Sequence, residues 1–198
     1  MSQETCLGRN TLGGASTSTM LSLIIGGARS GKSRFAQSLC SSASRVIYLA
    51  TARPEDAEMA DRIRRHRESR PPDWVTVEEP LEIGRAVESY AGECDVLLLD
   101  CLTLWLSNFC WVHRDETPAE IERAALAEVS RLAVASGRCH AVVVTNEVGS
   151  GLVPDAAICR LFRDVQGFVN QQVACSADWV YHVVAGIPVP IKQPKVQP

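Results

Sequence analysis

The sequence predicts an α/β fold in which a mostly parallel sheet carries helices on both faces. Two observations predict it. Short apolar runs alternate with longer helix-patterned segments along the 198 residues, the arrangement of parallel strands joined by crossover helices. Residues 21–33 read Leu-Ser-Leu-Ile-Ile-Gly-Gly-Ala-Arg-Ser-Gly-Lys-Ser, so a buried-strand pattern runs straight into a glycine-rich loop and a helix start. A chain of this length buries the core of one domain. There is no internal repeat and no sign of a second domain, so residues 20–198 are read as one unit.

Taken in order, the first strand covers 21–25 and leads into a helix over 32–41. The run Arg-Val-Ile-Tyr-Leu-Ala at 45–50 is the second strand, followed by helices over 56–68 and 80–91. Asp-Val-Leu-Leu-Leu-Asp at 95–100 and His-Ala-Val-Val-Val-Thr at 140–145 are further strands, since uniformly apolar runs suit a sheet buried on both faces. The helix over 118–136 between them has the clearest start. Thr117 caps it, Pro118 suits its first position, and Glu120 completes a capping box. Its residues Ile121, Ala125, Val129 and Leu132 fall on one face. A helix over 155–175 and a strand over 178–184 complete the pattern.

The first 19 residues are rich in Ser, Thr and Gly. They lack the basic start and apolar core of a signal peptide and are read as a disordered tail. Met20 directly precedes the first strand, which makes it a second candidate translation start. No run reaches the ~18 apolar residues of a bilayer span. Eight cysteines, Cys6, Cys40, Cys94, Cys101, Cys110, Cys139, Cys159 and Cys175, form no CxxC pair and no Cys/His cluster with metal-ligand spacing. They read as free thiols packed like small hydrophobes, which fits a reducing cytoplasm. A net charge of −3 without a basic block argues against nucleic acid as the partner.

The loop completes GxxxxGK[ST] at Gly26, Gly31, Lys32 and Ser33. Glycines let backbone N–H groups curl around phosphate oxygens, and the following helix adds the positive end of its dipole. Lys32 would reach the β- and γ-phosphates, and the Ser33 hydroxyl would ligate Mg²⁺. The fold is therefore of P-loop NTPase type and the ligand a nucleoside triphosphate. Asp100 ends its strand where such enzymes place the acid that holds Mg²⁺.

The segment from Glu58 to Arg70 is less usual. Arg62, His66 and Ser69 or Arg70 share a helical face at spacings of three and four, with Arg64, Arg65 and Arg67 nearby. Arginines there would grip phosphate oxygens, and positive surroundings would favour a neutral, nucleophilic imidazole at His66. A solvated basic helix is the plain alternative. Thr51-Ala52-Arg53 and Thr145-Asn146-Glu147-Val148-Gly149 follow strands, where open α/β sheets bind ligands. Arg160, Arg163, Asp164 and Asn170 recur at helical spacings, as ligand groups or as a salt-bridged surface.

Four motifs in series are distinctive: Gly-Gly-Ala-Arg-Ser-Gly-Lys-Ser, Arg-Ile-x-x-His-Arg-x-x-Arg-Pro at 62–71, Thr-Asn-Glu-Val-Gly-x-Gly at 145–151 and Phe-Arg-Asp-x-x-Gly-x-x-Asn at 162–170. Over about residues 21 to 192 the chain resembles the bifunctional adenosylcobinamide kinase/adenosylcobinamide-phosphate guanylyltransferases of cobalamin biosynthesis. The resemblance implies two reactions. ATP or GTP phosphorylates the aminopropanol hydroxyl of adenosylcobinamide, and GTP then donates its guanylyl group, through a guanylylated histidine, to give adenosylcobinamide-GDP and pyrophosphate. That histidine corresponds to His66. Some relatives carry two adjacent histidines, whereas Arg65 precedes His66 here. The family's nucleotide contacts map onto Gly26, Gly27, Ala28, Arg29, Ser30, Gly31, Lys32 and Ser33, onto Ala50, Thr51 and Ala52, onto Arg67, Glu68, Ser69 and Arg70, and onto Glu78 and Asp100. Lys32 and His66 are the implied catalytic residues and Ser33 and Asp100 the implied Mg²⁺ ligands. The resemblance also implies a homo-oligomer, a trimer. The residues themselves leave two alternatives open, a P-loop kinase of another small metabolite without nucleotidyl transfer and a nucleotide-dependent switch.

Overall fold

Seven strands form one sheet in the computed structural model, which describes residues 19–194. They are β1 (Leu21–Gly26), β2 (Val46–Ala50), β3 (Val75–Glu78), β4 (Val96–Asp100), β5 (His140–Asn146), β6 (Trp179–Val184) and β7 (Ile187–Lys192). Their order across the sheet is β3-β2-β4-β5-β1-β6-β7, parallel throughout except for the β6–β7 hairpin. The six helices are α1 (Lys32–Cys40), α2 (Ala57–Glu68), α3 (Ile83–Tyr90), α4 (Leu102–Val112), α5 (Pro118–Ala135) and α6 (Ala157–Ser176). The expected tail at 1–19 lies, Thr19 apart, outside the described residues.

Alternation along the strands sorts the core into two layers. Ile24, Tyr48, Leu98 and Val144 face α1 through Ala36 and Cys40. Leu23, Leu49, Leu97, Leu99 and Val143 face the opposite layer, built from α3, α4, α5 and α6. Each enclosed Leu or Ile contributes roughly 1.5–3 kcal/mol over an exposed one. Thr117 and Glu120 form the expected capping box at the start of α5. The helix α2 is the exception to this layering, because none of its residues is fully buried. It is capped by Asp56, whose carboxylate accepts the Met59 N–H at 2.7 Å.

Three elements depart from the pattern read along the chain. Leu102–Val112 is apolar almost all the way round, with seven buried residues, so it shows no helical period to read. Strand β3 is only four residues long at the sheet edge. Strand β7 carries Pro188 and Pro190, which are compatible with an edge strand and with little else in a sheet.

Candidate functional site

The carboxyl ends of β1, β2 and β4 open into a cleft lined by residues from the P-loop, from β2, from α2 and from the start of α4. This is the end of a parallel sheet at which ligands bind. Its floor holds Lys32, Ser33, Ala50 and Asp100, and its outer wall is the inward face of α2: Met59, Arg62, Ile63, His66 and Arg67, with Arg70 just beyond its end. Ala52, Glu78, Tyr48, Cys101, Leu104 and Asn146 complete the lining.

The phosphate loop is held by its own turns and by the neighbouring hairpin. Gly31 precedes α1 at φ +94°, a conformation open to glycine, and a Cβ there would sit 3.1 Å from Gly186 Cα. The Gly186 N–H donates to Ser30 O at 2.8 Å. Lys32 is 9% exposed, and its ammonium donates to Gly27 O at 2.9 Å. Burial lowers its pKa, only partly offset by the nearby Asp100 carboxylate, while Arg62 pushes the same way as burial. Gly26, Gly27, Ala28, Arg29, Ser30 and Gly31 form the loop behind these side chains.

The basic segment divides into two faces. Arg64 pairs with Asp61 at 2.5 Å and Glu68 at 2.8 Å, and Arg65 pairs with Asp61 at 2.5 Å, all on the outer face. Arg62, His66, Arg67 and Arg70 line the cleft. Two of these tie α2 to the sheet edge: Arg67 pairs with Glu78, and Arg70 donates to Thr76 Oγ1 at 3.2 Å. The Arg70 guanidinium also lies 3.5 Å over the Tyr48 ring, and its Nε is buried without a hydrogen-bond partner. Arg62 forms no ion pair among the described residues. Ser69 turns back to donate to His66 O at 2.9 Å.

Besides Gly26, Gly27, Ala28, Arg29, Ser30 and Gly31 of the loop, three residues expected at the nucleotide, Thr51, Glu68 and Ser69, are not among the residues that line the cleft. Thr51 is fully enclosed. Its hydroxyl donates to Cys101 O at 2.7 Å and accepts the Cys101 N–H at 3.0 Å, so it fixes the turn after Asp100. Glu68 and Ser69 are held by Arg64 and His66 as described.

Two lining residues carry no individual role in the sequence reading: Tyr48, and Asn146, which entered it only within the segment Thr145–Gly149 at the ligand-binding end of the sheet. Tyr48, 1% exposed, donates its hydroxyl proton to Asp100 Oδ2 at 2.7 Å. Both burial and the Asp100 charge push its pKa up, so it stays a donor. Asn146 has its N–H donated to Thr103 Oγ1 at 2.8 Å and its carbonyl bound by Asn170 Nδ2 at 3.1 Å. Its side-chain Oδ1 is buried and unpartnered at the cleft. Asn170 is itself fixed by Thr145 Oγ1 at 2.7 Å and Gln166 Nε2 at 2.9 Å. Arg160 and Arg163 hold the loop after β5, donating to Asp155 O at 2.5 Å and Gly149 O at 2.7 Å. An apolar tyrosine inside β2 was the available signal for the first of these two groups, and a Thr-Asn pair at a strand end for the second.

The described residues contain no group of three or more His, Cys, Asp or Glu able to hold a metal ion. Ser33, Asp100 and the orphaned Asn146 Oδ1 are hard oxygen donors in one cleft, which suits a cation such as Mg²⁺ that keeps waters and takes phosphate oxygens as further ligands. Cys101 beside them is an inert neutral thiol, since burial pushes its pKa to about 12. Cys40, Cys94, Cys101, Cys110 and Cys139 are buried free thiols, and Cys159 and Cys175 are exposed ones. No helix among the described residues is long and apolar enough to cross a membrane.

A family profile described as cobinamide kinase / cobinamide phosphate guanyltransferase matches residues 22–191. The bifunctional adenosylcobalamin biosynthesis protein CobU of Escherichia coli (strain K12) is 44% identical over 181 residues, covering 87% of this chain and 100% of that protein. The CobU of Salmonella typhimurium is 42% identical with the same coverage. The CobP of Pseudomonas aeruginosa is 44% identical over 176 residues, 87% of this chain and 98% of that protein. Among solved structures, a prototypical ATPase from the type III secretion system of pathogenic bacteria matches with a TM-score of 0.55 at 12% identity. That match covers 87% of this chain and 57% of the ATPase, and it establishes the likeness of fold alone.

Proposed function

The chain belongs to the cobinamide kinase / cobinamide phosphate guanyltransferase family, and we propose that both half-reactions run in the one cleft, the second through a guanylylated His66. The observation that carries this reading is that Lys32, Ser33, Asp100 and His66 line a single cavity, with Arg62, Arg67 and Arg70 around them.

In the first half-reaction the hydroxyl of the aminopropanol arm of adenosylcobinamide attacks the γ-phosphorus of ATP or GTP: an O–P bond forms, the β–γ bridging P–O bond breaks, ADP or GDP leaves and the hydroxyl proton passes to solvent. Lys32 leaves Gly27 O and turns to the β- and γ-phosphate oxygens, adding positive charge where negative charge develops. Ser33 and Asp100, with Asn146 Oδ1, would hold Mg²⁺, which supplies charge neutralisation on the phosphates.

In the second half-reaction a neutral imidazole nitrogen of His66 attacks the α-phosphorus of GTP in line. A P–N bond forms, the α–β bridging P–O bond breaks, and pyrophosphate leaves with its charge balanced by Lys32 and Arg62. The phosphate oxygen of adenosylcobinamide phosphate then attacks the same phosphorus. The P–N bond breaks, His66 is restored and adenosylcobinamide-GDP is formed. With arginine rather than histidine at position 65, and with that arginine paired to Asp61 on the outer face, His66 carries the intermediate alone.

Mass spectrometry of the intact protein after incubation with GTP and Mg²⁺ tests the reading: a gain of one GMP on His66 is expected. A protein that phosphorylates a substrate but never acquires GMP would instead be a small-metabolite kinase.

A further inference from the structure

A second, larger groove opens beside the nucleotide cleft, between the carboxyl half of α4, the first turns of α6 and the residue leading into α2. Its walls are Trp111, Ile158, Phe162 and Cys110, with Ser107 and Glu55 at its margin. Trp111 is 66% exposed and Ile158 48% exposed. Single exposed apolar side chains need no explanation, but a contiguous patch around a concave surface marks a binding site.

The groove and the cleft share their dividing walls. Leu104 lines the cleft and Ser107 the groove, three residues or about 4.5 Å apart along α4. Met59 lines the cleft and Glu55 the groove across the N-cap of α2. A molecule seated in the groove can therefore extend a short arm into the cleft.

The two cavities differ in charge. The cleft presents Lys32, Arg62, Arg67 and Arg70, suited to phosphates. The groove has one guanidinium, Arg114, which lies 5.2 Å over the Trp111 ring and 4.0 Å from Asp115, and it has a further carboxylate at Glu55. It has no surplus positive charge and is no second phosphate site. It fits a broad molecule with apolar faces, some polar groups at its margin and no net negative charge.

We propose that this groove seats the corrin macrocycle of the substrate, with its aminopropanol arm crossing the α2–α4 divide to Lys32 and His66. The proposal rests on the cobinamide reading above, because it asks where the bulk of that substrate sits once the nucleotide fills the cleft. Trp111 and Phe162 lie against the ring face, and Ser107, Glu55 and Asp115 meet the peripheral amides.

The wild-type protein contains its own reporter. Cys159 lines the groove and is exposed, while Cys175, also exposed, lies outside it. Alkylation of each thiol by iodoacetamide is followed by peptide mass mapping in the dark, with and without adenosylcobinamide. At roughly ten times its dissociation constant, the corrinoid is expected to slow Cys159 alkylation about tenfold, leave Cys175 unchanged, and act the same with or without GTP when EDTA withholds Mg²⁺ and prevents turnover. GTP alone protects neither. Trp111→Ala is expected to raise the adenosylcobinamide KM about tenfold while leaving GTP-dependent guanylylation untouched. Product formation with unprotected Cys159 overturns the groove assignment and spares the function, whereas no product from wild-type protein overturns the function itself. Protection of Cys159 that follows protein concentration rather than corrinoid makes the groove an interface between copies and likewise overturns the proposal.

Discussion

Tyr48 and Asp100 are joined across neighbouring strands by a 2.7 Å hydrogen bond from the phenol to the carboxylate Oδ2. Tyr48 lies two residues before the end of β2, and the β2–β4 register sets Ala50 against Asp100. The phenol thus reaches along the strand to hold one carboxylate oxygen and leaves the other turned to the cleft. The same ring is the platform for Arg70. One buried side chain therefore positions the acid on the floor of the site and one end of the wall opposite.

Tyr48→Phe keeps the ring and removes the donor. A hydrogen bond to a charged group is worth roughly 1.5–3 kcal/mol. We expect kcat for phosphorylation to fall roughly tenfold or more and the Mg²⁺ concentration for half-maximal rate to rise. Arg70 keeps its stacking, so the fold is retained. Wild-type kcat and Mg²⁺ dependence in this variant would show that the bond has no part in positioning Asp100.

Lys32→Met separates function from stability. The buried ammonium is a cost to the unliganded fold, and its pKa lies below the ordinary 10.5 chiefly because of burial. Between the folded value and 10.5 the unfolded chain holds the proton that the fold has released, so this residue's share of stability rises with pH across that window. Below the folded value its penalty is complete. Lys32→Met should lose kinase turnover by roughly 100- to 1,000-fold, melt at the same temperature or higher at neutral pH, and lack the alkaline gain. Phosphorylation at a near wild-type rate would refute the role of Lys32.

The hairpin turn at Ala185–Gly186 supports the phosphate loop from outside. Gly186 has φ +82° and donates to Ser30 O, so the loop's shape depends on a residue far away in sequence. Gly186→Val forces a β-branched side chain into the left-handed region at a strain of about 1–3 kcal/mol, whereas Gly186→Asn is tolerated there. Calorimetric titration should find nucleotide affinity weakened roughly tenfold in the valine variant and little changed in the asparagine variant. Equal affinities in the two would show that the hairpin and the loop are independent.

Much of this architecture is legible in the sequence because its signals are local. The phosphate loop, the capping box at Thr117 and the apolar runs of β1, β2, β4 and β5 are written in consecutive residues. The helix α4 is not, because a helix enclosed on nearly every side has no polar face to give it a period. The strand β7 is disguised by Pro188 and Pro190, which only its edge position permits. The site divides in the same way. Helical spacing brings Arg62, His66 and Arg70 together, but which arginines turn outward depends on Asp61 and Glu68, and the reach of Tyr48 to Asp100 depends on strand register. Thr51, read as a nucleotide contact, has its hydroxyl committed to Cys101, a pairing between segments 50 residues apart.

In the proposed reaction His66 alone carries the guanylyl group, and uptake of α-labelled GTP is the sharpest test of that role. Wild-type protein should retain label through denaturation, losing it in acid and keeping it in alkali, as a phosphoramidate does. His66→Ala should take up none, because Arg65 and Arg67 stay protonated and offer no neutral nitrogen in its place. Undiminished, acid-labile labelling of His66→Ala would overturn the role of His66 and move the nucleophile to His113, His140 or His182.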